Sequence, residues 1–243
     1  MAVMQPTILC DVNETLLDLA PVRAEFGRIY GDRSLAGTWF AQLLKLAFVA
    51  TITGSYQPFP DLGAAAFDMV AESGGITPKA ADRAAVVAAL GSLPAHPDAT
   101  TGLRTLDEAG FRIAALTNSP RLVAEEQLAG AGLASHFERI MSVDMVGTFK
   151  PAAATYLAAI EELGTVPQET VMVAAHDWDI AGAMTAGLVG AFVARPGQVL
   201  SPLQPPPAFI GPDFAAVAGA LIEADWRGDG TFSPGTEPSS GVR

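Results

Sequence analysis

From residue 112 onward the chain alternates short apolar runs with helix-length amphipathic segments, and that alternation admits few folds. Strands separated by helices make βαβ units, which close into a parallel sheet covered by helices on both faces. Strands are expected at 112–117, 140–142, 170–175, 189–194 and 209–210. Helices are expected at 121–130, 152–164, 180–187 and 214–224. Residues 7–12 form one more apolar run that stops at Asp11-Val12-Asn13-Glu14. It reads as a buried parallel strand whose carboxyl end delivers Asp11.

Between that first strand and the later alternation, residues 21–87 read as helical. Leu35, Trp39, Leu43, Leu46 and Val49 recur at helical spacing, and no strand-like alternation interrupts them. The helical block is therefore an insertion over the carboxyl edge of the sheet, where open α/β sheets place their sites. Asp98 is positioned to cap the helix that ends near Gly110. The expected organisation is a Rossmann-like α/β core at 1–17 and 94–225, an all-helical cap at 18–93, and a loose tail at 226–243. The tail follows from the density of Gly, Ser and Pro after Trp226.

Four polar segments fall at strand ends: Asp11-Val12-Asn13-Glu14-Thr15, Leu116-Thr117-Asn118-Ser119, Phe149-Lys150-Pro151 and His176-Asp177-Trp178-Asp179. A carboxylate such as Asp11 is ionised at neutral pH and can attack an electrophilic centre without a separate base. A lysine nearby would keep it ionised. The formal net charge of −12 disfavours nucleic acid, because the chain has only 14 Lys and Arg. Cys10, the one cysteine, excludes an intramolecular disulfide and suits a reducing cytoplasm. No basic leader at Met1–Gln5 and no uncharged apolar run of membrane length are evident, so neither a signal peptide nor a membrane span is expected.

In order and spacing, the four segments resemble the four motifs of the haloacid dehalogenase superfamily, and within it most resemble the L-2-haloacid dehalogenases. The resemblance spans residues 7–196. It implies Asp11 as covalent nucleophile, Lys150 as its cationic partner, and Asp179 as the group that orients Lys150. It further implies Thr15 and Thr117 as hydrogen-bond partners of Asp11, and Asn118 as a donor to the substrate carboxylate or departing anion. Val12, Asn13, Trp39, Tyr156 and Trp178 are expected around the substrate.

Two positions favour a dehalogenase over a phosphatase of the same superfamily. Phosphatases place a second Asp two residues after the nucleophile, and here Asn13 cannot protonate a leaving alkoxide. They hold Mg²⁺ partly through an Asp five residues before the last motif Asp, and here that position is Ala174. Asp177 could substitute. The expectation is chemistry without a cofactor or metal.

Two departures stand against the dehalogenase pattern. Phe40 follows Trp39 where those enzymes carry a substrate-contacting arginine, with Lys45 or Arg33 as possible replacements. His176 stands in place of asparagine and could act as a base toward water or simply as a hydrogen-bonding positioner. Trp39 is the best apolar pocket candidate and Phe40 the next. Phe48, Tyr56, Phe59 and Phe67 could line the pocket or form the core of the cap.

The expected activity is hydrolytic dehalogenation of short 2-haloalkanoic acids to 2-hydroxy acids, in a cytoplasmic protein that could be a homodimer. The rivals are a phosphatase with altered ligands, a hydrolase of a small activated carboxylic acid, and a non-catalytic small-molecule binder.

Overall fold

The computed structural model describes residues 6–77, 79–224 and 226. Its six strands are β1 (Thr7–Cys10), β2 (Arg112–Thr117), β3 (Arg139–Ser142), β4 (Thr170–Ala174), β5 (Val189–Val193) and β6 (Phe209–Gly211). They form one sheet in the order β3-β2-β1-β4-β5-β6, parallel throughout. β1 lies centrally between β2 and β4, so Asp11 leaves the sheet where the strand order reverses. That reversal opens the crevice in which such sheets bind ligands.

The core helices are α5 (Pro97–Glu108), α6 (Arg121–Gly130), α7 (Ala153–Leu163), α8 (Asp177–Thr185) and α9 (Phe214–Glu223). Because side chains alternate along a strand, β1 feeds two apolar clusters. Ile8 and Cys10 join Leu103 and Leu106 of α5 and Phe214 and Val217 of α9. Leu9 joins Ile160 of α7 and Ile180 and Ala183 of α8 on the opposite face.

Four helices fill the insertion: α1 (Ala20–Tyr30), α2 (Leu35–Thr53), α3 (Phe59–Ser73) and α4 (Ala80–Gly91). α1 and α2 end on Gly31 (φ 73°) and Gly54 (φ 66°), the left-handed conformation that closes a helix without a Cβ clash. α2 packs along α3 and α1 along α4. The buried face of α2 is Ala36, Trp39, Leu43, Ala47 and Ala50. Val49, expected in the buried stripe, is 48% exposed, because α2 turns the row 36-39-43-47-50 inward instead. α2 is also long and apolar enough, by length and composition, to cross a membrane.

Boundaries differ locally from expectation. α8 starts at Asp177, three residues before the expected Ile180, which puts Trp178 and Asp179 in its first turn. Asp98 does not cap α5; its carboxylate accepts from Arg195 Nη1 (2.8 Å) and from the Phe214 backbone N–H (2.8 Å). Trp226 is buried and packs at a tilt against Phe209, with ring centroids 5.8 Å apart. The remaining tail, 227–243, and the N-terminal Met1–Gln5 lie outside the described residues.

Gly182 lets α8 reach the segment that carries Lys150. A Cβ there would lie 2.5 Å from Pro151 Cβ, 2.7 Å from the Pro151 carbonyl and 2.8 Å from the Tyr156 hydroxyl. Backbone cannot give way as a flexible side chain can. Gly182→Ala is expected to destabilise the protein by about 1–3 kcal/mol in chemical denaturation, as overpacking does. An unchanged midpoint would show that this contact is not tight.

Candidate active site

Asp11 follows β1 directly, and its backbone N–H donates to the Val173 carbonyl at 3.0 Å, which ties it to β4. Its side chain is 7% exposed and takes donors on both oxygens. Oδ1 accepts from Lys150 Nζ at 2.8 Å, and Oδ2 accepts from Thr15 Oγ1 at 2.7 Å. Thr15 Oγ1 in turn accepts from the Ala175 N–H at 2.9 Å, so the end of β4 fixes the hydroxyl that fixes the carboxylate.

Lys150 is fully buried. Its ammonium has three protons, and each has an acceptor: Asp11 Oδ1, Asp179 Oδ2 at 2.6 Å and the Leu116 carbonyl at 3.0 Å. Asp179 Oδ1 accepts from Tyr156 Oη at 2.6 Å. Burial pulls the Lys150 pKa down, but Asp11 and Asp179 outweigh it, so the ammonium stays charged. Burial alone would raise the Asp11 pKa. Lys150 and His176 reverse that and hold it far below the ordinary carboxylate range. Asp179 moves upward, through its own burial and the neighbouring Asp11 charge.

His176 occupies the other flank. Nε2 lies 2.9 Å from Glu14 Oε2, and Nδ1 lies 3.3 Å from Asp11 Oδ2 without an aligned hydrogen bond. Burial disfavours the imidazolium, but the two carboxylates prevail and push its pKa up to about 9. Glu14 reaches this position from a left-handed backbone (φ 64°), an uncommon conformation for a residue with a Cβ. Arg23 (3.6 Å) and Gln198 (3.3 Å) also hold its carboxylate.

Most of the expected site residues converge here. A cavity of about 20 Å³ is bounded by Asp11, Asn13, Thr117 and Asn118 on the core side and by Phe40, Leu44, Phe59, His176 and Trp178 on the other. The Asn118 carbonyl oxygen accepts the Lys150 backbone N–H at 3.0 Å, which leaves its amide N–H₂ for the cavity. Asn13 is tied to Ser119 Oγ (3.1 Å) and Gln127 Nε2 (3.4 Å).

Several expected residues sit elsewhere. Trp39 is fully buried and donates to the Gly63 carbonyl at 2.9 Å, so it belongs to the packing of the inserted helices. Val12 points into the apolar core. Thr117 lines the cavity, but its hydroxyl accepts the Ser119 N–H at 3.1 Å, a local turn bond in place of the expected bond to Asp11. Tyr156 acts on Asp179, one step away from the cavity. Lys45 and Arg33 are exposed and outside the cavity lining, so neither stands in for the arginine missing at Phe40. Phe67 packs in the apolar core, Phe48 lies edge-on to Trp178, and Tyr56 bonds Asp144 and stacks on Phe149.

Three contributors escape sequence reasoning. Glu14 sits inside the first motif but bears on the site only because its backbone turns left-handed. Leu44 is one apolar residue among many on α2. Arg195 donates to the Thr15 carbonyl at 2.7 Å from 180 positions away, which no local pattern reveals.

The residues present do not fit a magnesium site. Both Asp11 oxygens face protein donors, and Ala174 and Ala175 offer only methyl groups. Asp177 lines a separate cleft with Ser201 and Gln204 and is not part of the chamber at Asp11. Among the described residues no group of three His, Cys, Asp or Glu is arranged to hold a metal ion.

Comparisons with known proteins agree with this geometry. The chain is 29% identical over 188 residues to (S)-2-haloacid dehalogenase 1 of Pseudomonas sp. (strain CBS-3), covering 76% of this chain and 83% of the relative. Phosphoserine phosphatase of Thermus thermophilus is 34% identical, but over only 42% of this chain and 41% of its own length. The L-2-haloacid dehalogenase of Xanthobacter autotrophicus, solved with chloropropionic acid covalently bound, shares the fold. Its TM-score is 0.83 at 24% identity, covering 90% of this chain and 99% of that one. The family model for haloacid dehalogenase-like hydrolases matches residues 6–187, most of the chain and every residue from Asp11 to Asp179 described above, and the protein belongs to that family.

Proposed function

We propose that the protein hydrolyses short 2-haloalkanoic acids to 2-hydroxy acids through an ester on Asp11. The observation that carries this reading is the ion-paired Asp11 carboxylate facing a small, largely apolar cavity. No protonatable group stands at residue 13 to assist an alkoxide leaving group. Halide is a stable anion and needs no proton, so displacement at carbon tolerates the amide.

An Asp11 oxygen attacks the halogen-bearing carbon. The C–O bond forms as the carbon–halogen bond breaks, and halide departs with the electron pair. The Asn118 amide and the His176 imidazolium face that chamber and receive negative charge. Water then adds to the Asp11 ester carbonyl, and the bond between that carbonyl carbon and the substrate oxygen breaks. The substrate leaves as its 2-hydroxy acid with an oxygen that came from Asp11. Lys150 balances the carboxylate charge before and after, and Asp179 and Tyr156 hold Lys150 in place.

His176 takes a second role. While Asp11 is charged, the imidazole is protonated. Esterification removes that charge, so burial weighs against the imidazolium with only Glu14 opposing. The imidazolium releases its proton to solvent, and the neutral imidazole then takes the proton of the attacking water and returns it to the substrate oxygen as the ester bond breaks, with Glu14 orienting the ring as a carboxylate orients a histidine base.

The helical segment 18–93 acts as a cap, because Phe40, Leu44 and Phe59 close the chamber from above. The protein donors on both Asp11 oxygens support a reading of metal-independent chemistry. A cytoplasmic location is consistent with the lone, buried Cys10 thiol. The homodimer stays a proposal supported by exposed apolar side chains on α2 and α3, such as Ile52 and Met69.

Halide release from chloro- and bromoacetate should proceed undiminished with a chelator present. Asp11→Asn should abolish it while the protein stays folded; a thousandfold loss corresponds to about 4 kcal/mol of barrier. Chelator-sensitive hydrolysis of an aryl phosphate, without halide release, would favour a phosphatase instead.

His176→Phe should release one equivalent of halide per protein and then stall, with ester hydrolysis slowed by roughly 10²–10⁴-fold. Intact-protein mass spectrometry would detect the trapped adduct; unimpeded turnover would remove His176 from hydrolysis.

The same residue sets a pH dependence of stability. Because its folded pKa is raised from 6.5 to about 9, the imidazolium's stabilisation is complete below pH 6.5 and is lost as pH rises through about 9. The destabilisation caused by His176→Asn should therefore shrink by about 3 kcal/mol between pH 6 and 10 in equilibrium denaturation. A pH-independent difference would contradict a charged resting histidine.

A further inference from the structure

The two residues that depart from the dehalogenase pattern touch each other. The Phe40 ring lies nearly parallel to His176, with centroids 5.7 Å apart at 27°, and His176 stacks on Trp178 at 5.1 Å and 23°. These three rings form a wall. On its inner side is the 20 Å³ chamber at Asp11. On its outer side is a second cavity of about 230 Å³, bordered by Arg23, Gly37, Ala41 and Gln198. Phe40, Leu44, His176 and Trp178 border both spaces.

The inner chamber is close to the size that admits one water, for which roughly 10–15 Å³ suffices. A two-carbon haloacid, with five heavy atoms, already exceeds it, and each further carbon needs still more of the space that only the outer cavity can supply. Three parts of the wall are fixed. Glu14 holds His176 at 2.9 Å, Phe48 braces Trp178 with centroids 5.7 Å apart, and Leu44 is 9% exposed within packed helix α2. Phe40 is half-buried, carries no polar anchor, and has the outer cavity behind it.

We propose that Phe40 is a movable partition that selects substrates by chain length. A small displacement of its ring makes room for haloacetates, and a larger one into the outer cavity admits the alkyl chain of longer 2-haloacids. This rests on the dehalogenase reading above. It assigns Phe40 a task distinct from the arginine it replaces: a sterically adjustable wall, with the neighbouring His176 supplying the positive charge.

The test compares kcat/KM for halide release from bromoacetate and from 2-bromohexanoate. That parameter reports events up to irreversible halide loss, so the later role of His176 in hydrolysis does not enter it. The unaltered enzyme should prefer bromoacetate strongly. Phe40→Ala, which joins the two cavities, should raise the hexanoate-to-acetate ratio by about tenfold or more, a change typical of one or two methylenes gained in an apolar pocket. Ala41→Leu, which fills the outer cavity from an exposed position on α2, should lower the ratio. Equal handling of both acids by the unaltered enzyme would overturn the partition and leave dehalogenation standing. A parallel loss on both acids in Phe40→Ala would do the same. Absence of halide release from every acid would overturn the partition together with the reading beneath it.

Discussion

The site is organised around one buried ammonium. Lys150 carries its full charge with no solvent exposure, and a charge in that position persists only if its partners repay the lost hydration. Each of its protons has an acceptor, two of them carboxylates from different strand ends. The rest of the architecture brings those acceptors together. Central β1 supplies Asp11, β2 supplies the Leu116 carbonyl, and the first turn of α8 supplies Asp179. Gly182 allows α8 close enough to the Lys150–Pro151 segment for the cluster to close.

A carboxylate engaged in this way is a poor metal ligand and a well-oriented nucleophile. A phosphoserine phosphatase shares part of this sequence, and the residues that set this site apart from a magnesium site come down to a few atoms. The amide of Asn13 is locked by Ser119 and Gln127, methyl groups stand where a further carboxylate would help hold magnesium, and an imidazolium flanks Asp11 on its remaining side. Phe40 and His176 act as a unit in physical terms: the imidazole is anchored in the core beside Asp11, and a phenyl ring from the inserted helices covers it.

Much of this was legible before any coordinates. Parallel strands buried on both sides write themselves as short apolar runs, and the polar residue that ends each run marks the carboxyl edge. Asp11 could be placed in this way, whereas Lys150, eight residues beyond β3, and Asp179, in the first turn of α8, join it only through the resemblance of the four segments to a known motif set. The inserted helices were harder, because an apolar α2 has several candidate buried faces. Trp39 was consequently expected in the pocket, whereas its indole N–H is satisfied by Gly63 within the helical core. Glu14 was hidden for another reason: its contact with His176 depends on a positive φ that no side-chain pattern announces. Arg195 reaches Thr15 only through the tertiary fold.

The central claim is that Asp11 itself becomes esterified, and isotope tracing addresses it most directly. In a single turnover in ¹⁸O-water with enzyme in excess over bromoacetate, the account predicts unlabelled hydroxyl in the product and ¹⁸O in the peptide containing Asp11. Label appearing in the product hydroxyl with none in that peptide would mean that water displaces halide directly, and would contradict the account.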